Sequence, residues 1–349
     1  MAKAPMRVAV TGGAPLPVDV SRFLIGLGLP LVEGYGLTEA GTDLMTMDAI
    51  GRPSRTLLGS DRLRRPGTDP GGYWRMITEI AIASDRERAF APAHHAEVAG
   101  AAGLGPERAA SLAAGLKNAG YVTGDRIATL TGNSSDHVVV FFACAKAGLV
   151  LVPLSWRLSP RELAAQLELA DPQLLLVEDE LDSLAAGACA LLPHRPRTAA
   201  LGPGGVEKSV PPPSRIHPAP AAGDGRLDVR GLEAAREVRD DDPLLMIFTS
   251  GTEGASKAAV LTHANCFWTN LSLSRTLDLG STDVVLAVLP QFHVGGWNVQ
   301  PLLAWWVGAT VVVERAFDAG RVLRLIADRR ITAMMGVPAH YLMLAEHPR

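Results

Sequence analysis

Short apolar runs alternate with amphipathic stretches along most of this chain. RVAV from Arg7 reads as a buried strand, GGAP as a turn, VDVSRFLIGLG as an amphipathic helix and PLVEGYG as a second strand ending in glycines, which is a βαβ pattern. A helix is expected from about Pro106 to Ala119. GDRIATL, VVVFFACAKAG, LVLVPL, LSPRELAAQLELA and LLLVED then alternate as strand, helix, strand, helix and strand. Further on come the strands LLMIFTS and AAVLTH, a helix from about Ala264, the strands VVLAVLP and TVVVE, a helix over AGRVLRLIADRR, the strand ITAMMGV and a helix from Pro338. This order predicts an α/β fold with doubly wound sheets.

Two stretches interrupt the pattern. Gly51 to about Ala93 carries Arg, Pro, Gly and Asp around one apolar patch, Tyr73 to Ile82, and reads as a poorly ordered connection. Leu201 to Asp228 is rich in proline and glycine, and the fixed φ angles and missing N–H groups of its prolines exclude a ladder, so a surface loop is expected. The organisation is then a segment over residues 1–50, a linker over 51–95 and a main domain over 96–349.

A length of 349 residues with 48% apolar content suits one large α/β domain or two ordinary ones. The formal charge of -3 provides no broad basic field, which argues against nucleic acid as a partner. Cys144, Cys189 and Cys266 stand far apart in apolar or Ala-rich surroundings, which suits buried thiols and a reducing cytoplasm better than disulfides or zinc. The opening MAKAPMRVAV lacks the apolar core of a signal peptide, and the run Val138 to Leu154 is interrupted by Lys146 and short for a bilayer. No membrane insertion is expected, while peripheral contact stays open.

The strongest chemical signal is Thr249-Ser250-Gly251-Thr252-Glu253-Gly254-Ala255-Ser256-Lys257, directly after a strand. Its glycines let backbone N–H groups approach phosphate oxygens, its hydroxyls add donors and Lys257 supplies a cation. The spacing does not fit Walker A, and Lys257 enters a strand rather than a helix. An ordinary hydroxyl-rich hairpin turn is the plain alternative.

The stretch FTSGTEGASKAAVLTHAN resembles the signature loop of the adenylate-forming superfamily, which reads Tyr/Phe-Thr-Ser-Gly-Thr-Thr-Gly-x-Pro-Lys-Gly followed by Leu-Thr-His-x-Asn. Glu253, Ser256 and Ala258 depart from it, and Glu253 puts a negative charge near the phosphates. GDRIATLTGNSSDHVVVFFACAKAG, LPQFHVGGWNVQPLLAWWVGATVVVE and FDAGRVLRLIADRRITAMMGVPAHY are similar to successive blocks of the superfamily's long- and medium-chain acyl-CoA synthetases. The next family blocks, Gly-Gly-Ala-Pro-Leu and Gly-Tyr-Gly-Leu-Thr-Glu, stand instead at residues 7–41. The chain thus resembles the N-terminal domain of an acyl-CoA synthetase in circularly permuted order, and joining Arg349 to Met1 would restore the family order.

The resemblance implies the site. Thr249, Ser250, Gly251, Thr252, Gly254 and Lys257 would hold the phosphates, and Gly12, Gly13 and Ala14 the turn against adenine and the acyl carboxylate. Within Gly34-Tyr35-Gly36-Leu37-Thr38-Glu39, Tyr35 would stack on adenine, Thr38 touch the α-phosphate and Glu39 ligate Mg²⁺. Read without the resemblance, GYGLTE is equally a strand end with Thr38 as a helix cap. His293 matches a residue lining the acyl pocket near the carboxylate, although a lone His in an apolar run is usually a hydrogen-bonded core residue. Trp297, Trp305 and Trp306 wall a pocket or belong to plain core. Tyr121-Val122-Thr123-Gly124-Asp125 imitates the family's ribose-binding block, but the adjoining RIATLTGNSSD fits an early turn, so Asp125 reads as structural.

The ribose-binding Asp block, the hinge and the C-terminal domain with its catalytic lysine are not found in the chain, which points to a separate C-terminal domain as a possible partner. The implied function is ATP- and Mg²⁺-dependent activation of a carboxylic acid, from the apolar block a fatty acid, to acyl-AMP and then to the coenzyme A ester. The alternative is a non-catalytic nucleotide-binding remnant or half of a split enzyme. A dehydrogenase opening at RVAVTGGAP lacks the third glycine of its fingerprint and the Tyr-x-x-x-Lys pair. The permuted order places RVAV in the same sheet as ITAMM, and Glu39 across one cleft from the Thr249 loop.

Overall fold

Three short strands open the chain, β1 (Val8–Gly12), β2 (Leu31–Tyr35) and β3 (Met45–Met47). The computed structural model describes residues 8–12, 20, 31–35, 45–47, 106–202, 204–215, 238–249 and 256–348. Two compact units result: Thr68–Ala264, and Met1–Gly67 joined to Asn265–Arg349.

The Thr68–Ala264 unit runs α1 (Pro106–Asn118), β4 (Arg126–Leu130), α2 (Ser135–Ala147), β5 (Val150–Leu154), α3 (Pro160–Ala170), β6 (Leu174–Val177), α4 (Asp182–Cys189), β7 (Arg197–Ala200), β8 (Pro243–Thr249) and β9 (Lys257–Thr262). Its sheet has the order β7-β6-β4-β5-β8-β9, parallel except for the antiparallel β8–β9 hairpin. Strands β5 and β6 are buried throughout, as continuous apolar runs covered on both faces require.

Local chemistry sets the helix ends. Ser159 and Glu162 form a reciprocal capping box with Pro160 at the first helical position, so α3 starts where its orphan N–H groups find acceptors. Ser134 caps α2 by accepting from His137 N, and Gly148 ends it at φ 74°, where a side chain would be strained. Helices α3 and α4 bury Leu163, Leu167, Ala185 and Ala188 against Leu130, Val152 and Leu175 of the sheet.

The proline-rich stretch after Leu201 takes no strand position over residues 204–215, as its composition requires, but it is more than a surface loop. Val206 is fully buried and its N–H donates to Ala200 O at 2.9 Å. Pro211 cannot donate, yet its carbonyl accepts from Tyr121 Oη at 3.1 Å. Asp125 is structural: buried, it accepts from Val122 N at 2.9 Å and closes its own turn. Pattern reading missed α4 and β7. The latter is a four-residue strand whose side chains are mostly exposed and show no alternation.

After α5 (His263–Thr276), the second unit continues through β10 (Val284–Ala287), α6 (Pro301–Trp306), β11 (Thr310–Val313), α7 (Ala319–Asp328), β12 (Ala333–Gly336) and α8 (Pro338–Glu346). Its sheet has the order β11-β10-β12-β1-β2-β3, parallel apart from β3. Strand β1 lies between β12 and β2, with Val8 opposite Ala333 and Thr11 opposite Gly336. That is the expected pairing of RVAV with ITAMM. The core of this unit joins Val20 to Leu286, Val322, Ile331, Met334 and Tyr341.

All three cysteines are free and buried. Burial pushes the Cys144 thiol far up, and it raises that of Cys266 to about 12 against the lowering effect of a hydrogen bond to Asn298, which keeps both unreactive. Among the described residues, no helix is long and apolar enough to cross a membrane.

Candidate functional site

In the unit containing both chain ends, four parallel strands deliver the motif segments to one edge. Gly12 at the end of β1 stands opposite Gly34 in β2, and Gly336 at the end of β12 opposite Thr11. The Gly336-Val337-Pro338 turn and the segment from Val288 to His293 leave β12 and β10 in the same direction. Ligands of open α/β sheets bind outside the carboxyl ends of strands, so this edge is a candidate site. Gly12, Gly34 and Tyr35 have strand backbones there; Gly13, Ala14, Gly36, Thr38 and Glu39 lie outside the described residues.

His293 heads a single helical turn, Val294–Gly296. Its Nδ1 accepts from Gly295 N at 3.1 Å, which fixes that nitrogen as unprotonated and leaves Nε2 to carry the proton. The residue is exposed, but protein packed around it disfavours the imidazolium and lowers its pKa. A neutral donor therefore faces outward. The turn itself is tight: a Cβ on Gly296 would stand 2.3 Å from Pro290 O. Behind it is an apolar cavity of about 10 Å³, lined by Leu286, Leu289, Gly296, Gln300 and Met335 among others, which holds one water-sized body and is too small for an acyl chain. Both amide atoms of buried Gln300 lack a hydrogen-bond partner among the described residues.

Of the three tryptophans in this block, Trp297 is core: it is fully buried and its Nε1 donates to Gln291 O at 2.6 Å. Trp306 is half-buried and packs on the cluster of Leu273, Leu303 and Val299, with its ring 6.0 Å from that of Phe267.

In the Thr68–Ala264 unit, the Gly/Ser/Thr loop is the tip of the β8–β9 hairpin. Thr249 ends β8, Lys257 begins β9, and the two are register partners. Thr249 Oγ1 donates to Lys257 O at 3.5 Å, a long contact, and Lys257 is exposed. Ser250, Gly251, Thr252 and Gly254 lie outside the described residues. Gln166 of α3 reaches this hairpin: its Nε2 donates to Ser256 Oγ at 3.4 Å. Sequence reading missed it, although a glutamine three residues beyond Leu163 and one before Leu167 stands out on the apolar face of α3.

A family model described as AMP-binding enzyme matches residues 106–349. The chain belongs to the AMP-binding enzyme family. It is 35% identical over 243 residues to the feruloyl-CoA synthase of Amycolatopsis sp, covering 69% of this chain and 44% of that protein. It is 33% identical to the fatty acid–[acyl-carrier-protein] ligase ScoC of Streptomyces coeruleorubidus, over 68% of this chain and 43% of that one. Among solved structures, ATP-bound MatB from Rhodopseudomonas palustris superposes with a TM-score of 0.56 at 27% identity, covering 69% of this chain and 44% of MatB. The chain therefore spans less than half the length of these relatives. Among the described residues, no group of three His, Cys, Asp or Glu side chains could hold a metal ion.

Proposed function

We propose that this chain handles ATP and a carboxylic acid in the acid-activating reaction of an acyl-CoA ligase. The observation that carries the reading is the hairpin that ends β8 at Thr249 and starts β9 at Lys257, in a chain of the AMP-binding enzyme family. The exposed ammonium of Lys257 adjoins a loop of small and hydroxyl residues, a suitable cradle for a triphosphate. A carboxylate oxygen attacks the α-phosphorus in line, the bond to the bridging oxygen breaks and pyrophosphate leaves, giving acyl-AMP. The sulfur of coenzyme A then attacks the acyl carbon, its proton is lost and AMP departs. Mg²⁺ would neutralise phosphate charge, with Glu39 as its ligand on the resemblance alone.

The acid in this reading has a largely apolar tail. Relatives named for feruloyl and fatty acyl groups support that breadth. The neutral Nε2 of His293 suits a hydrogen bond to a carboxylate. Three buried thiols fit a reducing cytoplasm. The position of β1 between β12 and β2 supports reading residues 1–50 as a circularly permuted part of the same domain.

The test incubates the purified chain with Mg²⁺-ATP and a panel of aliphatic and aromatic acids. A raised melting temperature with ATP and acid-dependent pyrophosphate release are expected. No shift at millimolar ATP in folded protein overturns the nucleotide reading. A shift without pyrophosphate release under any acid overturns turnover and leaves the non-catalytic alternative.

A further inference from the structure

Helix α3 carries one polar residue into its apolar face. Leu163, Ala164, Leu167 and Ala170 pack into the core, and Gln166 is buried beside them at 6% exposure. A buried primary amide is costly unless hydrogen-bonded, so a polar residue here calls for a partner. Half of that requirement is met. Nε2 donates to Ser256 Oγ at 3.4 Å, at the long end of the hydrogen-bond range, while the buried Oε1 has no hydrogen-bond partner among the described residues.

Ser256 is the residue before Lys257, at the foot of the phosphate loop. The other foot, β8, packs Met246 and Phe248 on the core cluster to which Leu163 and Leu167 of α3 also belong. One core cluster thus backs β8, and a helix of that cluster bonds to Ser256 before the other stem. Serine at this position leaves φ free, unlike the proline of the signature pattern, so the chain itself does not fix the angle at which Lys257 enters the hairpin. A side-chain bond to a buried helix supplies that restraint from outside.

We propose that Gln166 is a positioning residue for the phosphate loop: it latches Ser256 and so sets the direction of Lys257 toward the nucleotide. The role rests on the nucleotide reading given above. The long bond and the unpaired Oε1 give the latch room to tighten. Shortening by a few tenths of an ångström brings the bond to Ser256 into the ordinary hydrogen-bond range. Phosphate binding and latching then favour each other, as coupled ordering of one segment requires.

The test compares the full chain with Gln166→Leu, Ser256→Ala, Ser256→Pro and the Gln166→Leu/Ser256→Pro double variant, using amide hydrogen exchange without nucleotide and Mg²⁺-ATP binding. Gln166→Leu and the exposed Ser256→Ala are expected to speed exchange at Ser256, Lys257 and Ala258, and to weaken ATP by roughly fivefold, the effect of one neutral hydrogen bond. Melting without nucleotide should move by less than about 2 °C in Ser256→Ala. With proline at position 256 the backbone restraint replaces the latch, so adding Gln166→Leu should change ATP affinity less than about twofold. Unchanged exchange and affinity in Ser256→Ala overturn the latch, as does an equal loss from Gln166→Leu with serine or proline present. Faster exchange in a chain whose wild type binds no ATP keeps the latch and overturns the nucleotide reading instead.

Discussion

Gly12 and Gly34 stand opposite each other in parallel register, so the chain leaves β1 and β2 side by side at one edge of the sheet. Strand β1 is interior, with Val10 between Met335 of β12 and Val32 of β2. Proline cannot donate to a ladder and is confined to edges and bulges, so Val10→Pro should cost about 3 kcal/mol or more. Thr46→Pro, in the edge strand β3, should cost clearly less. Denaturant titration of both variants checks the order; equal losses would remove β1 from the interior of the sheet.

The proposed role of the Thr249–Lys257 loop in holding phosphates is open to a direct test. Lys257 is exposed, so Lys257→Ala should leave the melting temperature of the ligand-free chain within the range of ordinary surface substitutions, about 0.5 kcal/mol. The rise in melting temperature with Mg²⁺-ATP should disappear, because the loop loses its only cation. A full ATP shift in the variant would place the triphosphate elsewhere.

Much of this architecture is legible because apolar runs differ sharply in period. The strands Val150–Leu154 and Leu174–Val177 and the helix Pro160–Ala170, with its Ser159/Glu162 box, follow from pattern and caps alone. The short strands Met45–Met47 and Arg197–Ala200 do not: three or four residues are too few for a period to show. At the site, the strand ends that carry the motif segments are legible, whereas the tight turn at His293 and the contact of Gln166 with Ser256 are not. Those depend on close tertiary approach, such as Gly296 against Pro290, that no local spacing encodes.

The turn that presents His293 depends on a missing side chain. An alanine at 296 would put Cβ 2.3 Å from Pro290 O and 2.9 Å from Gln291 Cα, both backbone atoms that cannot swing aside. Gly296→Ala should therefore destabilise by about 2–4 kcal/mol. Gly280→Ala, where nothing lies within 4 Å of the added carbon, should be near neutral. Chemical denaturation separates the two, and an innocuous Gly296→Ala would show that the turn relaxes freely.

His263 should make stability depend on pH between about 4 and 6.5. It is fully buried at the start of α5, and burial lowers its pKa from 6.5 to about 4, with nearby Asp242 offsetting part of the effect. The folded state thus keeps the ring neutral down to about pH 4, whereas the unfolded chain takes up a proton as pH falls through 6.5. Between those values the unfolded state binds more protons, so stability rises with pH. The contribution is fully present above pH 6.5 and is lost as pH falls through the folded value. At about 1.4 kcal/mol per pKa unit, the total is on the order of 3 kcal/mol. Replacing the imidazole by a non-titrating amide, His263→Gln, should lower stability at pH 7 but flatten its dependence over this window. Urea unfolding at several pH values gives the two slopes, and equal slopes would show that His263 is protonated in the folded chain as readily as in the unfolded one.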